Sequence, residues 1–238
     1  DWLPAAEQIE WIQYGGILEP VKLVSHPHIF IDDLAITTQL VGEGALINCK
    51  TIIKNESQEE FKAGVEITII KDSEILRKNV IVTCQPNKQE QVSWDFDLKN
   101  VKLWSPESPE LYVAKVNLLN DGNLTDSLYD RFGIREVEVG DASILLNGEP
   151  LLIKGVNRYE FFAQYGPNPP EKLVRKELEL MKSIGVNLIR VHYPASSDFL
   201  DLLDEYGFLM MEEIPMTWWG VKFKVQSIGG EAEQNLKI

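Results

Sequence analysis

The chain has 238 residues, 44% of them hydrophobic, enough for one large domain or two of ordinary size with genuine cores. Its 23 Lys and Arg stand against 37 Asp and Glu, a formal charge of -14, so nucleic acid and anionic membrane surfaces are poor partners over most of the surface. No run approaches the roughly 20 apolar residues of a membrane span, no basic stretch followed by an apolar segment opens the chain, and two cysteines are too few for a disulfide scaffold.

Up to about residue 140 the sequence alternates with period two between turn signals, the pattern of half-buried antiparallel strands. "ALINCKTIIK" places Ile47, Cys49, Thr51 and Ile53 on one face, and "GVEITIIKD" does so with Val65, Ile67 and Ile69. "QVSWDFDLK" alternates most cleanly, with Val92, Trp94, Phe96 and Leu98 opposite Ser93, Asp95, Asp97 and Lys99, and "LYVAKVNLL" aligns Tyr112, Ala114, Val116 and Leu118. Lys71-Asp72-Ser73 and Asn120-Asp121-Gly122-Asn123 are hairpin turns, because Asn, Asp and Gly tolerate left-handed backbone. With "LAITTQL", "NVIVTC" and "SLYDRFGIREVEV" the count reaches about seven strands between Leu34 and Val139, that of an immunoglobulin-like β-sandwich. Cys49 and Cys84 are expected to be buried free thiols. Asn55-Glu56-Ser57 and Asn123-Leu124-Thr125 match the glycosylation acceptor pattern, which is common by chance and leaves the compartment, cytoplasmic or exported, open.

After residue 140 strands and helices alternate. "PLLIKGV" is a short apolar run read as a strand buried on both faces. "PEKLVRKELELMKSIG" is predicted to be a helix with Leu173, Val174, Leu178, Met181 and Ile184 on one stripe, starting beside Pro170 and stopping at Gly185. "VNLIRV" is the next strand. "SSDFLDLLDEYG" is the next helix, capped by Ser196 or Ser197 and ended by Gly207. "FLMMEEIP" is the third strand. Repeated βα units build a parallel sheet, and ligands bind beyond the carboxyl ends of its strands.

Each of these strands ends in polar groups. The first delivers Asn157, Arg158, Tyr159 and Glu160, the second Arg190, His192 and Tyr193, and the third Glu212 and Glu213, followed by Trp218 and Trp219. Carboxylates, guanidinium and imidazole with flat aromatic faces suit a neutral polyhydroxylated ligand, since charged groups take hydroxyls in fork geometry and rings cover the C–H side of a sugar. The plainer alternative is an Arg190–Glu213 ion pair that orders the strand ends beside a hydrogen-bonded, structural His192.

Six stretches, "EWIQYGGILEPVKLV", "LWSPESPELY", "FGIREVEV", "LLNGEPLLIKGVNRYE", "ELELMKSIGVNLIRVHYP" and "LDEYGFLMMEEIP", occur in an order and spacing that closely resemble glycoside hydrolase family 2, from about Trp11 to Gly220. This family includes β-galactosidases, β-glucuronidases and β-mannosidases. The resemblance implies the end of a jelly-roll sugar-binding domain and a linker over residues 1–33, the sandwich over 34–139, and the N-terminal part of a (β/α)8 TIM barrel over 140–238. A barrel takes eight strands and about 250 residues, so the chain resembles a fragment of a longer retaining glycosidase.

Such enzymes use two glutamates, one as acid and base and one as nucleophile, about 5 Å apart. In the family these end the fourth and seventh barrel strands, so both are expected beyond this chain, which alone is expected to be inactive. Asn55-Glu56 repeats the dipeptide of the acid/base but sits at a sandwich turn, and adjacent Glu212 and Glu213 point to opposite faces of a strand. Carried over by position, the resemblance makes Asn157, Arg158, Tyr159, Arg190, His192 and Glu213 the substrate-binding residues, with Glu213 in a supporting role. Two departures stand out: Tyr159 replaces the His that many relatives have after Asn-Arg, and one residue rather than two separates Arg190 from His192. A carbohydrate is the expected partner, with neither cofactor nor metal. The competing readings are a non-catalytic carbohydrate-binding or assembly module, and a different barrel enzyme using the same rim; a homo-oligomer is left open.

Overall fold

The computed structural model describes residues 17, 21–141, 143–159 and 161–213. Most of the stretch expected to end a jelly roll, together with Glu160, Trp218, Trp219 and the tail after Glu213, lies outside the described residues. Seven strands form a sandwich: β1 (Ile29–Val41), β2 (Gly44–Asn55), β3 (Phe61–Lys71), β4 (Ser73–Cys84), β5 (Lys88–Lys99), β6 (Leu111–Asn120) and β7 (Asn123–Gly133). One sheet has the order β1-β2-β5 and the other β4-β3-β6-β7, all pairs antiparallel. The first strand starts at Ile29, where it pairs with Asn55, so Ile29–Asp33 belong to the sandwich.

The period-two reading holds along β2, β3, β5 and β6. Val92, Trp94, Phe96 and Leu98 are buried while Ser93, Asp95, Asp97 and Lys99 are exposed, and Ile47, Cys49, Thr51 and Ile53 lie opposite Val65, Ile67, Ala114, Val116 and Leu118 in one core. Asp72, Asp121 and Gly122 take the left-handed backbone that the turns require. Cys49 and Cys84 are both buried and free. The Asn55 amide is buried and spends its nitrogen on the carbonyls of Glu59 and Cys84, at 2.8 and 3.0 Å, so in the folded protein it offers no glycan acceptor.

The run "SLYDRFGIREVEV" does not form one strand. It breaks after Gly133, and β8 (Val137–Val139) joins β9 (Ile144–Leu146) and β10 (Glu149–Pro150) in a separate small sheet. Asn147 and Gly148, both at positive φ, make the tight turn between β9 and β10. That hairpin takes up Pro150, and the first parallel strand starts later than the sequence suggested: Leu152 is exposed, and β11 is Gly155–Arg158. The Asn187 side chain bridges the irregular stretch, accepting from Lys154 N and donating to Leu152 O.

Then follow α1 (Glu171–Ser183), β12 (Leu188–Val191), α2 (Ser197–Tyr206) and β13 (Leu209–Glu212), with β11, β12 and β13 parallel and in that order. Ser196 caps α2 by accepting from Phe199 N, and Gly207 ends it at φ 75°. Val174 and Leu178 of α1 and Phe199, Leu202 and Leu203 of α2 cover Ile189 and Val191 in a second core. Ile184, expected on the buried stripe, lies past the end of α1 and is 76% exposed.

Candidate functional site

Side chains alternate along a parallel strand, so the register of the sheet decides which groups share a face. Asn157, Arg190 and Met211 form one row across β11, β12 and β13. Just past the strand ends come Tyr159, His192 and Glu213, of which His192 and Glu213 meet. The opposite face carries Val156, Ile189 and Met210, then Arg158, Val191 and Glu212, and it is this face that the helices cover.

Four of the expected site residues meet at the carboxyl ends of the strands. The Glu213 carboxylate accepts from Arg190 through Nε at 2.8 Å and through Nη2, both on Oε1, while His192 Nδ1 lies 2.5 Å from Oε2. Arg190 Nη1 donates to Asn157 Oδ1 at 3.2 Å, tying the first strand to the second. The hydrogen bonds from His192 and then Arg190 hold the Glu213 carboxyl below the usual carboxylate range. An ionised carboxylate only accepts, which puts the shared proton on His192 Nδ1. Tyr193 tilts against the imidazole, ring centroids 4.8 Å apart, and Tyr159, just past the end of β11, is about half exposed.

Arg158 is not brought into this cluster. It follows Asn157 on a strand, so it points the other way, where it is 5% exposed, donates through Nε to Glu177 on α1 at 3.0 Å and lies over the ring of Phe199 on α2 at 4.3 Å. Glu212 also lies on the helix side, accepting from Ala195 N. Among the described residues no group of three His, Cys, Asp or Glu side chains could hold a metal ion.

The cluster is therefore a hydrogen-bonded polar patch with guanidinium, imidazole, amide and carboxylate groups on the inner face of a parallel sheet, at the end where such sheets bind ligands. Residues 29–135 match the family model described as Glycosyl hydrolases family 2, and residues 137–237 match its TIM barrel domain. The chain belongs to glycoside hydrolase family 2. Its sandwich is the immunoglobulin-like unit of that family, and β11, β12 and β13 open the (β/α)8 barrel.

A β-galactosidase of Thermoanaerobacter pseudethanolicus is 31% identical over 98% of this chain and 31% of its own length. A β-glucuronidase structure from Bacteroides uniformis superposes with a TM-score of 0.76 at 26% identity, over 80% of this chain and 25% of that one. A β-galacturonidase of the family from Eisenbergiella tayi, bound to galacturonate, gives 0.70 at 30% identity, over 79% and 33%. The chain thus spans a quarter to a third of these family-2 relatives.

Sequence reasoning missed the contacts that join sandwich to barrel. The Trp104 indole donates to the main-chain oxygen of Asp204 at 2.8 Å, and Arg135 reaches the Asp204 carboxylate at 2.8 Å. The stretch "LWSPESPELY" marked the place through the family resemblance, but its own pattern carries no sign of what it touches.

Proposed function

We propose that this chain is part of a retaining β-glycosidase that hydrolyses the O-glycosidic bonds of β-galactosides, β-glucuronides or similar sugars. Asn157, Arg190, His192 and Glu213 are its contribution to the pocket for the sugar at the cleaved bond, and Tyr159 borders that pocket. One observation carries the reading: Glu213 gathers Arg190 and His192 at the carboxyl ends of adjacent barrel strands. Arg158, turned to the helices, has a structural role in this scheme.

In a retaining glycosidase a carboxylic acid protonates the leaving oxygen while a carboxylate attacks the anomeric carbon, and water later releases the glycosyl-enzyme with the first residue acting as base. Neither glutamate of that pair is assigned within these 238 residues. What this chain supplies is prearranged polarity: donors locked by one carboxylate before the sugar arrives, so little reorganisation is left for the transition state. Aryl β-glycosides test the proposal. The whole protein is expected to hydrolyse a β-galactoside or β-glucuronide, with the first-formed sugar seen by NMR to keep its anomeric configuration, and the 238-residue chain to release no aglycone above background. Inversion in the whole protein, or turnover by this chain that Glu213→Gln abolishes, would refute it.

A further inference from the structure

The two cores are unequal. Among the described residues, twenty buried residues form the sandwich core, and nine form the core under the helices. The C-terminal end of α2 is tied down by groups from outside that second core.

Trp104 is the centre of that attachment. It is fully buried: its main-chain N–H donates to Ile134 O, its main-chain carbonyl accepts from the Asn147 amide, and its ring lies under the Arg135 guanidinium at 4.3 Å. Gly133 makes room for it, since a Cβ there would fall 2.7 Å from Trp104 Cβ. From this position the indole N–H satisfies the Asp204 carbonyl, one of the last-turn acceptors that a helix leaves unpaired. Lys182, in the last turn of α1, donates to Pro106 O at 2.5 Å and to Gly207 O at 2.9 Å. Gly207 itself packs so closely that a Cβ would lie 2.6 Å from Pro106 O.

The other end of α2 abuts the rim. The loop from β12 to the Ser196 cap carries His192 and Tyr193, and its Ala195 N–H is held by Glu212. A ten-residue helix is a rod of roughly 15 Å, stiff enough to pass a displacement of one end to the other.

We propose that Trp104 and Arg135, helped by Lys182, are positioning residues: by fixing the last turn of α2 to the sandwich they hold the loop that presents His192 and Tyr193. The sandwich is then the brace of the sugar site. The consequence for catalysis rests on the glycosidase reading, but the test uses no sugar, so the two ideas fail separately.

The test compares amide exchange and imidazole NMR spectra of the 238-residue chain and two variants. Trp104→Phe keeps the packing and removes the indole N–H. Phe96→Leu weakens the sandwich core without touching α2. In Trp104→Phe, amides of 191–206 are expected to exchange at least about tenfold faster while those of β6 change by less than about threefold. The chain has only three histidines, so His192 is resolved from His26 and His28; its ring signals are expected to shift or broaden, whereas Phe96→Leu leaves them in place. Should Trp104→Phe fail to fold, Lys182→Met is read in the same way. Unchanged His192 signals, or exchange in 191–206 that rises only in step with β6, would overturn the proposal.

Discussion

Arg158 and Asn157 are neighbours in the chain but serve opposite faces of β11: Arg158 pairs with Glu177 under the helices, and Asn157 accepts from Arg190 on the inner face. Their substitutions should therefore separate stability from activity. Arg158→Met leaves the Glu177 carboxylate without this partner in a largely buried place, with an expected loss of about 2–3 kcal/mol in urea unfolding. Asn157→Ala removes one exposed hydrogen bond and should change stability by less than about 0.5 kcal/mol. If Asn157 contacts the sugar as proposed, the substitution should lower kcat/KM of the whole enzyme about tenfold or more.

That pair also shows where the sequence stops being legible. Alternation in the sandwich has one wet and one dry face, so Val92 to Leu98 can be sorted by polarity alone. A four-residue strand such as β11 is covered on both sides in a complete barrel, and "GVNR" gives no sign of which side faces the helices. Arg158 reads as a rim group until the register with Val191, a core residue, turns it round. The helices were legible because Ser196 and Gly207 punctuate a 3.6-residue pattern. The Trp104–Asp204 bond was not, since its partners are 100 residues apart and one is a main-chain oxygen, which any residue could supply.

Arg190→Ala and His192→Ala address the proposed sugar pocket directly. Both side chains are partly exposed where they meet Glu213, so the stability lost with either should be no more than about 1 kcal/mol. If they contact the sugar, each should cost at least about 2 kcal/mol in kcat/KM of the whole enzyme. Thermal melts and initial rates on one aryl glycoside decide this; early melting with normal kinetics would make the residue structural.

The cysteines should be inert while the chain is folded. Burial, then the Asp95 carboxylate, pushes the Cys49 thiol up to about 12, and burial and then Glu90 raise that of Cys84. Since the thiolate is the reactive form, a disulfide-exchange reagent at pH 8 should titrate no thiol in native protein and both in denaturant. Reaction of one equivalent without denaturant would show that one side of the sandwich opens.

Acid should loosen the contact between sandwich and helices. The Glu205 carboxyl is held below its usual range by the hydrogen bond from Arg175 on α1, against the opposing effect of burial, and then by Arg131 on β7. A depressed carboxylate contributes stability that is complete above its unfolded pKa, near 4.3, and is lost as pH falls through the lower folded value. Its side chain is 37% exposed, so screening limits the contribution to about 1 kcal/mol. Glu205→Gln should lower the urea midpoint at pH 7 and make little difference at pH 3. An equal effect at both values would place the loss in packing rather than charge.

The last expectation concerns β13. Among the described residues this strand pairs on one side only, with β12, and Met211 on its inner face is 48% exposed. An unpaired edge beside apolar surface is a template for another strand. The 238-residue chain should therefore associate with itself as its concentration rises, and sedimentation velocity should show species heavier than 27.1 kDa in the range of tens of micromolar. Met211→Lys places a charge on that face and should restore the monomer, while Tyr129→Lys, on an exposed site of β7, should not. A single 27.1 kDa species at every concentration would mean that the edge is covered within the chain itself.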